Sequence, residues 1–163
     1  MPEWKIHNKW AKKLGISKEV SIYVNNLIDA IRKGQTLPQE YLDFVDKESK
    51  SASGSRNKSV AAFIAEITTK HDSGRRKGTG NLAADIQLNF LNSKGEDFIK
   101  AWFLHHWMDY YTHDVPKLEG KPMITVKKSL ERLETRTSSS YRELEVVKEF
   151  IMSNSKEILQ DCE

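Results

Sequence analysis

The sequence predicts an all-α fold, a single-domain bundle of about seven or eight helices, and three observations predict it. Apolar residues recur at spacings of three and four along most of the chain, the signature of helices that bury one face. Strand signals are nearly absent: only M-I-T-V, Met123 to Val126, is β-prone, and it runs straight into a helical pattern. The length, 163 residues, suits one domain spanning 1–163 with a sizeable core and is short for two.

The first helix, from about Pro2 to Leu14, sets His7, Trp10, Ala11 and Leu14 on one side, and Gly15 ends it as a left-handed cap. A second opens near Ser17, carries Val20, Val24, Leu27, Ile28 and Ile31 as its core stripe, and closes at Gly34. Pro38 falls in the first turn of a short third helix, Q-E-Y-L-D-F-V-D, where a residue without an amide hydrogen is tolerated. From Lys47 to Ser59 the composition turns to serine and lysine, with one alanine and no larger apolar side chain, which predicts an exposed loop. The apolar segment S-V-A-A-F-I-A-E-I-T-T-K then forms a helix that delivers His71 and Asp72 at its end, followed by the basic loop S-G-R-R-K-G-T-G-N. A helix from Leu82 to Asn92 precedes Gly95, and a histidine-rich helix runs from Glu96 to about Thr112. Beyond Pro116 and Pro122 the pattern predicts a helix near Ile124 to Thr135 and a last one from about Ser140 to Gln160. Ser140-x-x-Glu143 reads as a capping box for that last helix, with Leu144, Val147, Ile151 and Ile158 as its core face.

Composition narrows function. The net charge is +3, from 26 Lys+Arg against 23 Asp+Glu, and the signs are interspersed, too weak a footprint to imply nucleic-acid binding alone. One cysteine, Cys162, allows no internal disulfide and no cysteine cluster for zinc, which points to a reducing interior. The charged start M-P-E-W-K-I-H-N-K-W is unlike a signal peptide, and no run approaches the ~20 apolar residues of a membrane span, so a cytoplasmic protein is expected. Nucleophile-elbow, phosphate-loop and H-E-x-x-H motifs are absent, and G-R-R-K-G-T-G follows a helix rather than a strand, which excludes a dinucleotide fingerprint.

The chemistry concentrates in A-W-F-L-H-H-W-M-D-Y-Y-T-H-D, Ala101 to Asp114, which holds three of the five histidines. On a helix, residues four apart stack, so His105, Asp109 and His113 form a column, with Leu104, Met108 and Tyr111 on another face. A buried polar column needs partners: a divalent metal, or a hydrogen-bonded seam between helices. The remaining histidines, His7 and His71, lie on the first and fourth helices, so packing of these helices against the histidine-rich one would gather all five. Asp72 and Asp109 are the acids suited to that cluster, with Asp29 and Asp85 as outer candidates. Beside His71-Asp72, Gly74 permits a sharp turn, and Arg75, Arg76 and Lys77 supply compact positive charge. Metal to polarise a phosphoryl oxygen and activate water, and guanidinium to hold the other oxygens, is what a phosphoester requires; a basic turn at a helix end is the alternative reading. Trp4 and Trp10, flanking His7, read with Trp102 and Trp107 as core, the alternative being a pocket that stacks on a base or sugar.

Two families share pieces of these motifs. His7, then H-D-S-G-R with His71 and Asp72, then a helical Asp109 resembles the HD-domain metal phosphohydrolases. That resemblance implies an all-α fold, one or two divalent ions on His7, His71, Asp72 and Asp109, and hydrolysis of phosphoesters, often of nucleotides. L-H-H-W-M-D-Y-Y-T-H is similar, through His105, Asp109 and His113, to the H-x3-D helix of the zinc-dependent phospholipase C and single-strand nuclease group. The chain lacks that group's terminal tryptophan ligand and its further His-x3-Glu, so a three-zinc site is not implied.

The combined expectation is a metal-dependent phosphoester hydrolase with zinc, manganese or a similar ion on His7, His71, Asp72, His105 and Asp109. His113 would be a further ligand or general acid, His106 an outer support, and Arg75 with Arg76 phosphate clamps. Its substrate would be a phosphate-containing small molecule or nucleic acid. The rival is a non-catalytic helical binding module, with a structural metal or a hydrogen-bonded histidine cluster, meeting nucleic acid through Arg56 to Lys58 and Arg75 to Lys77 or meeting another protein.

Overall fold

A computed structural model of the chain describes residues 4–30, 35–51, 82–114 and 119–162. Within them the fold is all-α, with no strand. Eight helices are described: α1 Trp4–Lys13, α2 Lys18–Asp29, α3 Gln39–Ser51, α4 Leu82–Asn92, α5 Glu96–Asp109, α6 Pro122–Glu134, α7 Arg142–Ser153 and α8 Ser155–Cys162. A π-helical turn, Tyr110–Asp114, continues α5. No described helix is long and apolar enough to cross a membrane. The apolar helix expected at 59–70 and the basic loop at 73–81 lie outside the described residues.

α5 is the axis of the bundle. It packs against α1, α2, α4, α6 and α7, and every residue from Ala101 to Tyr111 is buried. Such a helix is enclosed on all sides, so the separate polar and apolar faces expected from its sequence are both interior. Its own Trp102, Phe103 and Trp107, and Trp10 of α1 and Leu27 of α2, are among the fully buried side chains.

Local chemistry sets the helix ends. Gly15, at φ 90°, closes α1: its amide donates to Lys12 O and that of Ile16 donates to Ala11 O, the paired bonds of a Schellman cap. Ser17 begins α2, its hydroxyl accepting from the Val20 amide. Pro122 occupies the first turn of α6, where no amide hydrogen is needed, so the β-prone M-I-T-V is helical.

Two boundaries differ from the sequence reading. α3 continues through Ser51 into the segment read as a loop from Lys47, since Lys and Glu favour helix. The single last helix is two, broken at Asn154, whose side-chain amide donates to Phe150 O and competes with the helical pattern. The first of them starts from Tyr141 without a side-chain cap, so the capping box at Ser140 does not form.

α8 is fastened to α1. Asp161 accepts from Lys9 Nζ at 2.5 Å and Trp10 Nε1 at 2.8 Å, and Lys13 pairs with Glu157. The Lys9 hydrogen bond, outweighing the burial that would raise it, and the Trp10 bond with the nearby lysine charges hold the Asp161 carboxyl below its ordinary value. A depressed folded pKa adds stability that is complete above the unfolded value, about 3.9, and is lost as pH falls through the lower folded value. Asp161→Asn should therefore lower stability at neutral pH by at most about 1 kcal/mol, the site being largely solvated, with the difference closing as pH falls through the lowered folded value. Thermal melts of both proteins across that range check this.

Candidate metal centre

α1 and α5 supply the centre. His7 is buried on the inner side of α1 between Trp4 and Trp10, and His105 and Asp109 stack one turn apart on α5. One ligand atom from each of these three lies within 4.8 Å of the others. The rings of His7 and His105 are parallel, 4.2 Å between centroids and 9° between planes. His105 Nε2 is 3.4 Å from Asp109 Oδ2, and His7 Nε2 is 3.8 Å from Asp109 Oδ1.

Those separations lie at or beyond the limit of a hydrogen bond and near the spacing of ligands on one ion. A distance of 3.8 Å is too long for a hydrogen bond, and Asp109 Oδ1 has no hydrogen-bond partner among the described residues although it is buried. Ligand atoms about 2.1 Å from one tetrahedral ion stand roughly 3–3.5 Å apart. Two imidazole nitrogens and a carboxylate, with exposures of 2% for His7, 1% for His105 and 3% for Asp109, are a donor set that fits a first-row divalent ion. Burial alone would push the Asp109 carboxyl up. The His105 hydrogen bond and the positive charge that His105, His7 and His106 can carry outweigh it and hold the carboxyl well below the usual range.

Asp29, fully buried at the end of α2, brings Oδ2 to 3.6 Å from His105 Nε2 and accepts there from Trp4 Nε1 at 2.9 Å. Two carboxylates thus face one imidazole nitrogen, an arrangement that positive charge stabilises. On the far side of that ring Asn25 Oδ1 lies 2.8 Å from His105 Nδ1.

The other expected residues are placed differently. His106 packs against Trp102, ring centroids 4.1 Å apart, and meets His105 edge-on at 5.7 Å, beside the cluster rather than within it. His113 is exposed on the π-turn, because i, i+4 spacing gives a direction and not a depth, and one further turn carries it out of the interior. Asp85 lies away from the centre and accepts from the Ser138 amide at 2.9 Å. His71, Asp72, Arg75 and Arg76, like Arg56 to Lys58, fall outside the described residues. Trp10, Trp102 and Trp107 lie in the core, Trp102 donating to Gln87 Oε1 at 2.8 Å, and the half-buried Trp4 donates to Asp29.

Among the described residues, surface cavities of about 460 Å³ along Thr137 to Arg142 and about 390 Å³ walled by Asn8, Lys9, Lys12 and Lys18 are not lined by His7, His105 or Asp109. Comparison with protein-family models, curated proteins and solved structures gave no match.

Proposed function

We propose that the chain is a metal-dependent phosphoester hydrolase whose ion lies between α1 and α5. The observation that carries the reading is the convergence of His7, His105 and Asp109, two helices far apart in sequence bringing nitrogen and oxygen donors to one buried point. A bound divalent ion would supply Lewis-acid polarisation of a phosphoryl oxygen and activation of water. His7, His105 and Asp109 hold it, Asp29 adds negative charge beside His105, and His106 packed on Trp102 steadies the helix at that level. In this proposal His71 and Asp72 complete the ligand set, as the resemblance to HD-domain phosphohydrolases implies. Arg75 and Arg76 would grip the non-reacting phosphate oxygens, while His113, exposed one turn beyond the buried cluster, is assigned no step.

A second reading has its own support: the depth of the three side chains favours a closed site, which is typical of structural metals. The chain would then be a helical binding module for nucleic acid or protein. Turnover separates the two. Protein reconstituted with zinc or manganese should hydrolyse a phosphodiester such as bis(p-nitrophenyl) phosphate or a nucleotide, and His105→Ala should reduce the rate at least about 100-fold while staying folded. Metal-loaded protein inert across a phosphoester panel would favour the binding module.

A further inference from the structure

Along α2, Ser21, Asn25 and Asp29 recur every four residues, and all three are buried within an otherwise apolar stripe. They form a polar seam against α1 and α5. Asn8 Oδ1 accepts from the Ser21 hydroxyl at 2.5 Å and from Asn25 Nδ2 at 3.1 Å. With its amino group committed to Asn8, Asn25 turns its carbonyl oxygen to His105 Nδ1, 2.8 Å away. An amide oxygen only accepts, so His105 must carry a proton on Nδ1. In the neutral ring Nε2 then carries the lone pair that can meet an ion, and it faces Asp109 and Asp29.

From this chain of bonds we propose that Asn25 is a positioning residue: it holds the Nδ1 proton of His105, with Asn8 and Ser21 fixing the amide, and so presents Nε2 as the metal-ligating atom. The hydrogen of a ligating imidazole is characteristically held by an outer acceptor, which fixes the tautomer and ring orientation. The tautomer assignment stands on the hydrogen bonds alone, whereas the consequence for the ion rests on the metal-site reading above.

Two measurements on the full chain test it. Long-range proton–nitrogen NMR reads which ring nitrogen of His105 is protonated, and competition titration with a chelator reads zinc affinity. In the wild type Nδ1 should be protonated both metal-free and zinc-loaded. Asn25→Leu, which keeps the volume and removes the acceptor, should lose that preference and bind zinc 10–100-fold more weakly, a range typical of outer partners, as about a tenfold to hundredfold rise in Kd. Asn25→Asp, which keeps the acceptor to Nδ1 but loses the donor to Asn8, should restore the Nδ1 proton and part of the affinity, a rescue that a packing role would not produce. An unprotonated Nδ1 in the wild type, or equal zinc affinity in wild type and Asn25→Leu, overturns the proposal. If the wild type binds no zinc, the hydrolase reading fails, and the Nδ1 proton still decides whether Asn25 sets the tautomer.

Discussion

Asp109→Ala is expected to abolish the stabilisation of the protein by zinc or manganese. An ion held in the native state at a hundred times its Kd adds about 2.7 kcal/mol, and for a chain of this length each kcal/mol is worth about 2–4 °C. Wild-type protein should therefore lose roughly 5–10 °C of Tm on chelation. The variant should show no such change, because it lacks the carboxylate that meets both His7 and His105. A hydrogen-bonded core predicts another pattern. There Asp109 is the counter-charge of an imidazolium, and removing one partner of a buried pair costs roughly 3–5 kcal/mol whether or not metal is present. A variant that melts far below chelated wild type would point to that core, and one that melts near it would point to an ion site.

Trp102→Ala should be among the most destabilising changes at the described core residues. The ring is fully buried, meets Phe103 edge-on at 5.2 Å, lies against His106 and donates to Gln87. Truncating a buried tryptophan costs about 3–5 kcal/mol, or roughly 6–20 °C of Tm here. Trp102→Phe keeps most of the apolar area and loses the Nε1 hydrogen bond, a cost of about 1 kcal/mol. Calorimetry on the three proteins gives the order; a fall of under about 2 °C for the alanine variant would mean that α5 is not the axis of the core.

Helix type and order were legible because 3.6-residue patterning and the stops at Gly15 and Gly95 are local signals. The break at Asn154 was not, since a side-chain amide bonding back to Phe150 leaves the apolar period of Leu144 to Ile158 unchanged. In the site, the four-residue spacing of His105 and Asp109 identified the pair, and His7 was marked by its place among Trp4, Trp10 and Ala11. The depth of His113 was illegible, because spacing carries no information about where neighbouring helices end. Asn25 was missed, and Asp29 stood only as an outer candidate, although the sequence carries their signal: Ser21, Asn25 and Asp29 interrupt the stripe of Val24, Leu27 and Ile28 at the period that singled out the histidine column.

The central claim is that His7, His105 and Asp109 hold an ion, and elemental mass spectrometry on untagged protein tests it most directly, with wild type beside Asp109→Ala after reconstitution and removal of loose metal. The account predicts one or two equivalents of a transition metal in the wild type, as the donor set and the resemblance imply, and none retained in the variant. Wild type that holds no metal under the same conditions would contradict it and leave the histidines and aspartates as a hydrogen-bonded seam at the centre of a helical binding domain.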